Sequence, residues 1–352
     1  MQKSTPQIFQ SPHKDFIHDI AFDHYGRRIA TCSADRTVKI FDLDENGEWT
    51  TADVGSGWKA HSSGVTSLSW AHPEFGQLLA TSGADGLAMI WEERADSGSS
   101  GVNATAGADQ NPVFAAQSSV TRWTERARLT DARKSLSCVK FAPRHLRLQL
   151  ATASADGVVR IYEAVDVMNL NQWLLKNSIE VEPDNTDLGV RCLDWCTGRF
   201  EPPTLVVGDS SGNVNIYRYS EASRNWGLYL RLDSHVNPRK GVLDVAWSPD
   251  VGRSYHLISS CGRDGLLRVH KLKKTSNSDG SSRSTEERNL SPGLEIESSQ
   301  TLSTSDEVWR CSWNVTGTVL ASSGDGGVVE LWKSDFKGIF KCVSKVKGAF
   351  QG

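Results

Sequence analysis

Six copies of one pattern run through this chain of 352 residues. Each copy has a short alternating strand, a gap, a second apolar strand, a tight turn, and a third strand ending on a large ring. The first runs from Ile17 to Phe22, from Ile29 to Asp35 and from Val38 to Phe41. The second is Val65 to Trp70, Leu79 to Asp85 and Ala88 to Trp91; the third is Leu136 to Phe141, Leu150 to Asp156 and Val158 to Tyr162. Later copies are Val190 to Trp195 with Leu205 to Tyr217, Val242 to Trp247 with Leu257 to His270, and Val308 to Trp313 with Val319 to Trp332. Internal repetition of this kind limits the fold more than any single element does, because each unit must bury its apolar faces against its neighbours.

The units alternate with period two, as half-buried strands do: Lys39 lies between Val38 and Ile40, and Arg160 between Val159 and Ile161. An Asp-Gly turn precedes the third strand in the second, third and fifth units, and Asp-Arg takes its place in the first. Asp-Gly is a strong hairpin signal because glycine accepts a positive φ without steric cost. Helical periodicity is nearly absent; the one predicted helix is a short connector from Val165 to Leu175. The reading is therefore an all-β chain, a six-bladed β-propeller in which four-stranded sheets stack radially. Residues 1–352 form one domain in this reading, with mobile inserted loops at about 97–117 and 275–293, where Ser, Gly and polar residues concentrate. Tryptophan supplies the bulk between blades: Trp70, Trp195, Trp247 and Trp313 each end a first strand.

The candidate chemical constellations reduce to structure. His61, Thr81, Asp85 and Trp91 have the residue types of a hydrolytic triad, yet WD-type repeats place these types at these offsets as a buried structural network. The first unit carries His13, Thr31 and Asp35 but ends on Phe41, which has no N–H. The third has Thr152 and Asp156 with Tyr162; the fourth has Ser211 at the turn position, and the sixth Gly326, with Asp325 one place early. Cys192 and Cys196 form a C-x3-C pair with no second ligand pair at zinc spacing, so core thiols are expected. All seven cysteines read as reduced thiols of a cytosolic or nuclear protein. Arg122, Arg126, Arg128, Arg133 and Lys134 surround Trp123, but Glu125 and Asp131 flank them, and a solvated outer strand is the expectation. A formal charge of −3 gives no global pull toward nucleic acid. No apolar run has the length of a membrane span, and Met1 to Gln10 lacks the apolar region of a secretory signal. The chain is read as having no enzymatic activity, cofactor, metal, direct nucleic-acid contact or membrane insertion.

Several loop segments are specific beyond the strand pattern. They are His13-Lys14-Asp15 with Ile17-His18-Asp19, Gly26-Arg27-Arg28 with Ala30-Thr31-Cys32-Ser33, and Trp70-Ala71-His72-Pro73-Glu74-Phe75-Gly76-Gln77. Ala155-Asp156-Gly157-Val158-Val159-Arg160-Ile161-Tyr162-Glu163-Ala164, followed by Asp166-Val167-Met168-Asn169-Leu170, is the most telling. Val308-Trp309-Arg310 and the stretch from Trp313 to Gly324 complete the set. In these the chain resembles the Seh branch of the Sec13-type WD-repeat family over nearly its whole length.

The resemblance implies a structural subunit of the Y-shaped, coatomer-like scaffold of the nuclear pore at the nuclear envelope, supporting transport of protein and mRNA. Its implied partners are a long α-helical nucleoporin of the ancestral-coatomer type and other Y-complex subunits. The same family also serves a SEA/GATOR complex that regulates TOR signalling at the vacuolar or lysosomal membrane surface. Family propellers are open, with six blades of their own and a seventh from the partner. The residues add support of their own: a strand from Phe340 to Val346 already completes the sixth unit, so Ile8, Phe9 and Gln10, before the first unit, form a surplus outer strand expected to bind the partner. A Sec13-type COPII coat subunit and a peptide-reading WD-repeat adaptor stay as alternatives.

Overall fold

The computed structural model describes residues 9, 11–51, 57–95, 121–181, 189–233, 235, 241–275, 293–304 and 306–347. Among these, twenty-five strands form six antiparallel sheets, and there is no α-helix. The chain is a six-bladed β-propeller. Blade 1 contains β1 (Ile17–Phe22), β2 (Arg28–Ser33) and β3 (Thr37–Leu43), with the outer position shared by β4 (Trp49–Thr51) and β5 (Gly57–Lys59). Blade 2 is β6 (Val65–Trp70), β7 (Leu78–Gly83), β8 (Ala88–Ala95) and β9 (Thr121–Leu129). Blade 3 is β10 (Leu136–Phe141), β11 (Gln149–Ser154), β12 (Val158–Asp166) and β13 (Asn169–Glu180). Blade 4 is β14 (Val190–Trp195), β15 (Thr204–Asp209), β16 (Val214–Ser220) and β17 (Asn225–Leu232). Blade 5 is β18 (Val242–Trp247), β19 (Tyr255–Gly262), β20 (Leu266–Thr275) and β21 (Gly293–Ser303). Blade 6 is β22 (Val308–Trp313), β23 (Val319–Gly324), β24 (Val328–Ser334) and β25 (Phe340–Lys347).

The turn between second and third strands needs a positive φ. Gly86 supplies it at 79°, whereas Arg36 holds 72° in the first blade with a side chain present. The Asp35 carboxylate offsets that strain by accepting from the Thr37 N–H and hydroxyl across the turn.

The core lies between blades. Ala30, Val38 and Ile40 of blade 1 pack with Leu68, Met89 and Trp91 of blade 2. Ala80 and Ile90 then meet Leu136, Val139 and Tyr162; Val159 and Ile161 meet Leu193, Trp195 and Tyr217. Val206 and Ile216 meet Val245, Trp247 and Ile258, and Leu267 and Val269 meet Leu320 and Trp332. Polar clamps cross the same junctions. The indoles of Trp70, Trp195 and Trp313 donate to the carbonyls of Ala21, Lys140 and Ala246 in the preceding blades, at 3.0, 3.1 and 3.3 Å. Carboxylates of Asp19, Asp194 and Asp244 accept from the backbone N–H of Leu68, Trp247 and Cys311 in the next blades, at 2.9, 2.7 and 3.0 Å. Each bond satisfies a polar group that the stacking would otherwise strand.

The helix expected from Val165 to Leu175 is instead the far end of the β12–β13 hairpin, where Asp166 pairs with Asn169. Val165 and Leu174 are 53% and 62% exposed, so this segment lacks the buried stripe that stabilises a helix. The loop stretch 97–117 and residues 276–292 lie outside the described residues. Their flanking strands are closed up to the break: Ala95 pairs with Thr121 and Thr275 with Gly293.

Candidate interaction site at the junction of blades 1 and 6

Five apolar cores fill five junctions between consecutive blades, and no such core joins blade 6 to blade 1 among the described residues. What crosses there is polar: Arg310 donates to the carbonyl of His18 at 2.8 Å and lies 3.4 Å from Asp19. The side chains that would fill a core stand exposed instead. On the first blade these are Ile17, Ile20 and Phe22, at 40%, 57% and 59%; on the sixth, Val329 is 38% exposed. A contiguous apolar surface of this kind on an otherwise packed ring marks an interaction face.

Register shows which way the first blade faces. Phe41 pairs with Ile29 as Trp91 pairs with Leu79, so Phe41 is the counterpart of Trp91. Trp91 is turned toward blade 1, against Trp58 of β5, with ring centroids 5.4 Å apart. Phe41 is accordingly turned toward the unfilled junction, and its ring lies 5.1 Å from Phe9. Phe9 is 39% exposed. The other two residues of the surplus strand, Ile8 and Gln10, lie outside the described residues. The sixth blade carries its own outer strand, β25, paired with β24 from Ser334–Phe340 to Val328–Lys347.

The structure brings His61, Thr81, Asp85 and Trp91 together. His61 Nδ1 is 3.0 Å from Asp85 Oδ1, and Nε2 is 2.8 Å from Thr81 Oγ1. Trp91 Nε1 donates to the same Thr81 oxygen at 3.0 Å. The carboxylate only accepts, so Nδ1–H donates to it and Nε2 accepts the threonine proton. Burial pushes the His61 pKa down, partly opposed by Asp85, which fits the neutral ring this chain requires. Burial alone would raise the Asp85 carboxyl, but His61 and the N–H and hydroxyl of Ser62 hold it below its usual value. Thr81 is fully buried and its oxygen is already committed, so no substrate carbon can approach it.

The other blades depart from this set in different ways. His13 bonds Asp35 at 3.0 Å and Thr31 at 2.8 Å, without an indole. In blade 3, Asp156 is taken by Arg160 at 2.8 Å, and Thr152 Oγ1 has no partner. In blade 4, Asp209 accepts from the Ser211 and Asn213 N–H groups across its turn. In blade 6, Trp332 donates to Ser322 at 2.9 Å, and Asp325 accepts from Trp309. Sequence reading missed a set in blade 5, where His235 bonds Asp264 at 2.9 Å and Ser260 at 3.2 Å. The signal was present, with Ser260 four places before the Asp264-Gly265 turn, but His235 falls in the preceding connection.

Cys192 and Cys196 are both buried in the core between blades 4 and 5. No group of three potential metal ligands occurs among the described residues. Of the basic run around Trp123, Arg122, Arg126 and Arg128 lie on the outer strand β9, where Arg126 and Arg128 pair with Glu92 and Glu125, while Arg133 and Lys134 follow in the connection to β10. Trp123 itself stacks on Trp58 at 5.4 Å. No helix among the described residues is long and apolar enough to cross a membrane.

Comparison with known proteins places these features. The family described as WD domain, G-beta repeat matches residues 4–42, 54–92, 123–163, 227–271 and 296–333. Nucleoporin SEH1 of Xenopus tropicalis is 41% identical over 345 residues, covering 96% of this chain and 86% of that protein. Nucleoporin SEH1 of Homo sapiens is 40% identical over 344 residues, with 96% and 86% covered. The protein of that name from Danio rerio is 40% identical over 349 residues, with 96% and 85% covered. Four of the matched repeats begin just before or within an outer strand (β5, β9, β17 or β21) and run through the three inner strands of the next blade. The match at 4–42 likewise ends in the third strand of its blade, β3.

Proposed function

The chain belongs to the nucleoporin SEH1 family of WD-repeat proteins, and on that premise we propose that it is a structural, non-enzymatic subunit of the nuclear pore scaffold. Its partner is a long α-helical nucleoporin of the Y-shaped complex, which supplies a seventh blade in trans. The observation that carries this reading is the contrast between five filled junctions and the sixth, where Ile20 and Phe22 of β1 and Val329 of β24 stand exposed and join no core. A small sheet fits that opening, because its apolar side chains would occupy both faces and its backbone would find strand partners. The same opening would serve a helical subunit of a SEA/GATOR complex at a vacuolar or lysosomal surface. The fully buried Thr81 and the closed hydrogen bonds around it support a role without catalysis.

The test is co-expression with the helical nucleoporin, followed by size-exclusion chromatography. Wild type should co-elute with it, and the double variant I20D/F22D should not, while keeping its own melting temperature. Co-elution of that variant at wild-type affinity would place the docking surface elsewhere.

A further inference from the structure

The first strands of consecutive blades lie side by side around the axis of the ring at five junctions, from β1 with β6 to β18 with β22. Among the described residues, β22 does not lie against β1 in this way. The slot left between them has two apolar walls. Val329 of β24 is 38% exposed, while its counterparts by register, Val38, Ala88, Val159, Val214 and Leu267, are completely buried. On the other wall Ile20 and Phe22 take the places of Leu68 and Trp70, which pack on the preceding blade.

One position on the first strands bears on how this slot is held. Just past a bulge, the six blades carry Asp19, Ser67, Cys138, Cys192, Asp244 and Arg310 in matching register. Five of these are short and serve the adjoining strand. Asp19 accepts from the Leu68 N–H and the Ser67 hydroxyl, both at 2.9 Å, and Asp244 accepts from the Cys311 N–H at 3.0 Å. The sixth is an arginine, and it stands at the slot. One amino group of Arg310 donates to the His18 carbonyl at 2.8 Å and lies 3.4 Å from Asp19, both in blade 1. Its other amino group lies 3.8 Å from Asp244 in blade 5. The longest side chain of the set is thus placed where no first strand adjoins on the far side. Enclosure by the ring works against its charge, but Asp19 and Asp244 more than offset this, and its pKa is raised.

Two apolar walls facing a gap in water tend to close on each other, and a donated sheet would then have to part them. We infer that Arg310 is a positioning residue for the donated blade: it spans the slot at the axis and holds blade 1 at a set distance from blades 5 and 6 before the partner arrives. This role rests on the reading that a partner supplies the seventh blade. A guanidinium set between two carboxylates and a carbonyl fixes distance and direction, which apolar contact does not. Asp19 and Asp244 keep their N–H donors on β6 and β22 when the guanidinium is removed, so the clamps to the neighbouring blades outlast it.

Hydrogen exchange on the free full-length protein and association kinetics with the helical nucleoporin test this together. In R310M the β1 amides should exchange faster than in wild type, while those of β10 and β14 stay unchanged. The association rate should fall about fivefold, as it would if about a fifth of the molecules held a slot of the right width, with the dissociation rate unchanged. R310K keeps the charge but not the fork; it should fall between the two, and it carries the test if R310M does not fold. Wild-type exchange in β1 together with a wild-type association rate overturns the positioning role. So does a change confined to dissociation, which would make Arg310 a direct contact of the partner. Failure of the wild-type protein to bind the nucleoporin overturns the seventh-blade reading itself, and this role with it, so the two failures are told apart.

Discussion

The ring of Phe9 lies 5.1 Å from that of Phe41 at a tilt of 59°, and Trp58 lies 5.4 Å from Trp91 at 60°. The two pairs are the same contact made one blade apart. Trp58 belongs to an outer strand, β5, hydrogen-bonded to β3 of its own blade. Among the described residues no strand pairs with Phe9, and blade 6 already carries its own outer strand β25. Phe9 therefore packs on Phe41 as the outer-strand Trp58 packs on Trp91.

Deleting residues 1–10 should follow from this geometry. The segment would bridge the helical partner's strands to Phe41, so its loss is expected to weaken partner affinity more than it lowers the melting temperature. Removing one apolar contact on a half-exposed ring costs the isolated propeller about 1 kcal/mol, whereas the complex also loses backbone pairing. Affinity by calorimetry and melting by circular dichroism, on the same deletion, separate the two. Unchanged affinity with a collapsed melting temperature would mean that the N-terminus closes the ring on blade 6 instead.

His61→Ala should destabilise the fold by about 1–3 kcal/mol, because it leaves a buried threonine hydroxyl and a carboxylate without their partner. Thr81 would keep its bond from Trp91, while Asp85 would retain only the N–H and hydroxyl donors around its turn. Urea unfolding measures the loss. A hydrolase activity present in purified wild type and absent from this variant would contradict the structural assignment.

Much of this was legible from the sequence, and the reasons are local. Period-two alternation and the Asp-Gly turns are set within a few residues, so the first strand of every blade could be placed to the residue, while third strands such as β8 and β12 run four residues past Trp91 and Tyr162. The β12–β13 hairpin misled because Val165, Val167, Leu174 and Leu175 are apolar yet sit on an outer edge, where 53%, 42%, 62% and 42% of their surfaces stay exposed. An outer strand has no neighbour to impose the alternation that marks an inner one. His235 was missed because its distance to Asp264 is 29 residues, against 24 from His61 to Asp85, and the connection between carries no periodic signal. The interblade clamps were out of reach for a different reason. That Asp194 meets the Trp247 N–H depends on how two sheets are rotated against each other, which no strand pattern encodes.

Replacing residues 97–117 by a short Gly-Ser linker should leave both stability and partner binding unchanged. Strands β8 and β9 stay paired up to Ala95 and Thr121, so the ends of the excursion are already held side by side. Loop-closure entropy varies only slowly with length, about 0.6 kcal/mol for each doubling. A melting temperature lowered by more than a few degrees would show that the insertion packs on the ring.

The last prediction concerns acid. His270 fills the position that Trp91 and Trp332 hold in other blades, and it is completely buried. Its Nδ1 is 2.9 Å from Ser299 Oγ, while Nε2 has no partner. Burial lowers its pKa to about 4, with Asp233 opposing the shift. The unfolded chain binds a proton near the ordinary histidine value of about 6.5, so between these values the unfolded state holds more protons than the folded one. Stability is then complete above about pH 6.5 and falls as the pH drops toward 4, by up to about 3 kcal/mol from this residue. His270→Phe removes both the titration and the orphaned nitrogen, and restores an apolar ring between strands β19 and β20. Its unfolding free energy should consequently fall less steeply with acid than that of wild type across this window. Parallel slopes for the two proteins would show that His270 takes up its proton in the folded state as readily as in the unfolded one, and that the acid sensitivity resides in other groups.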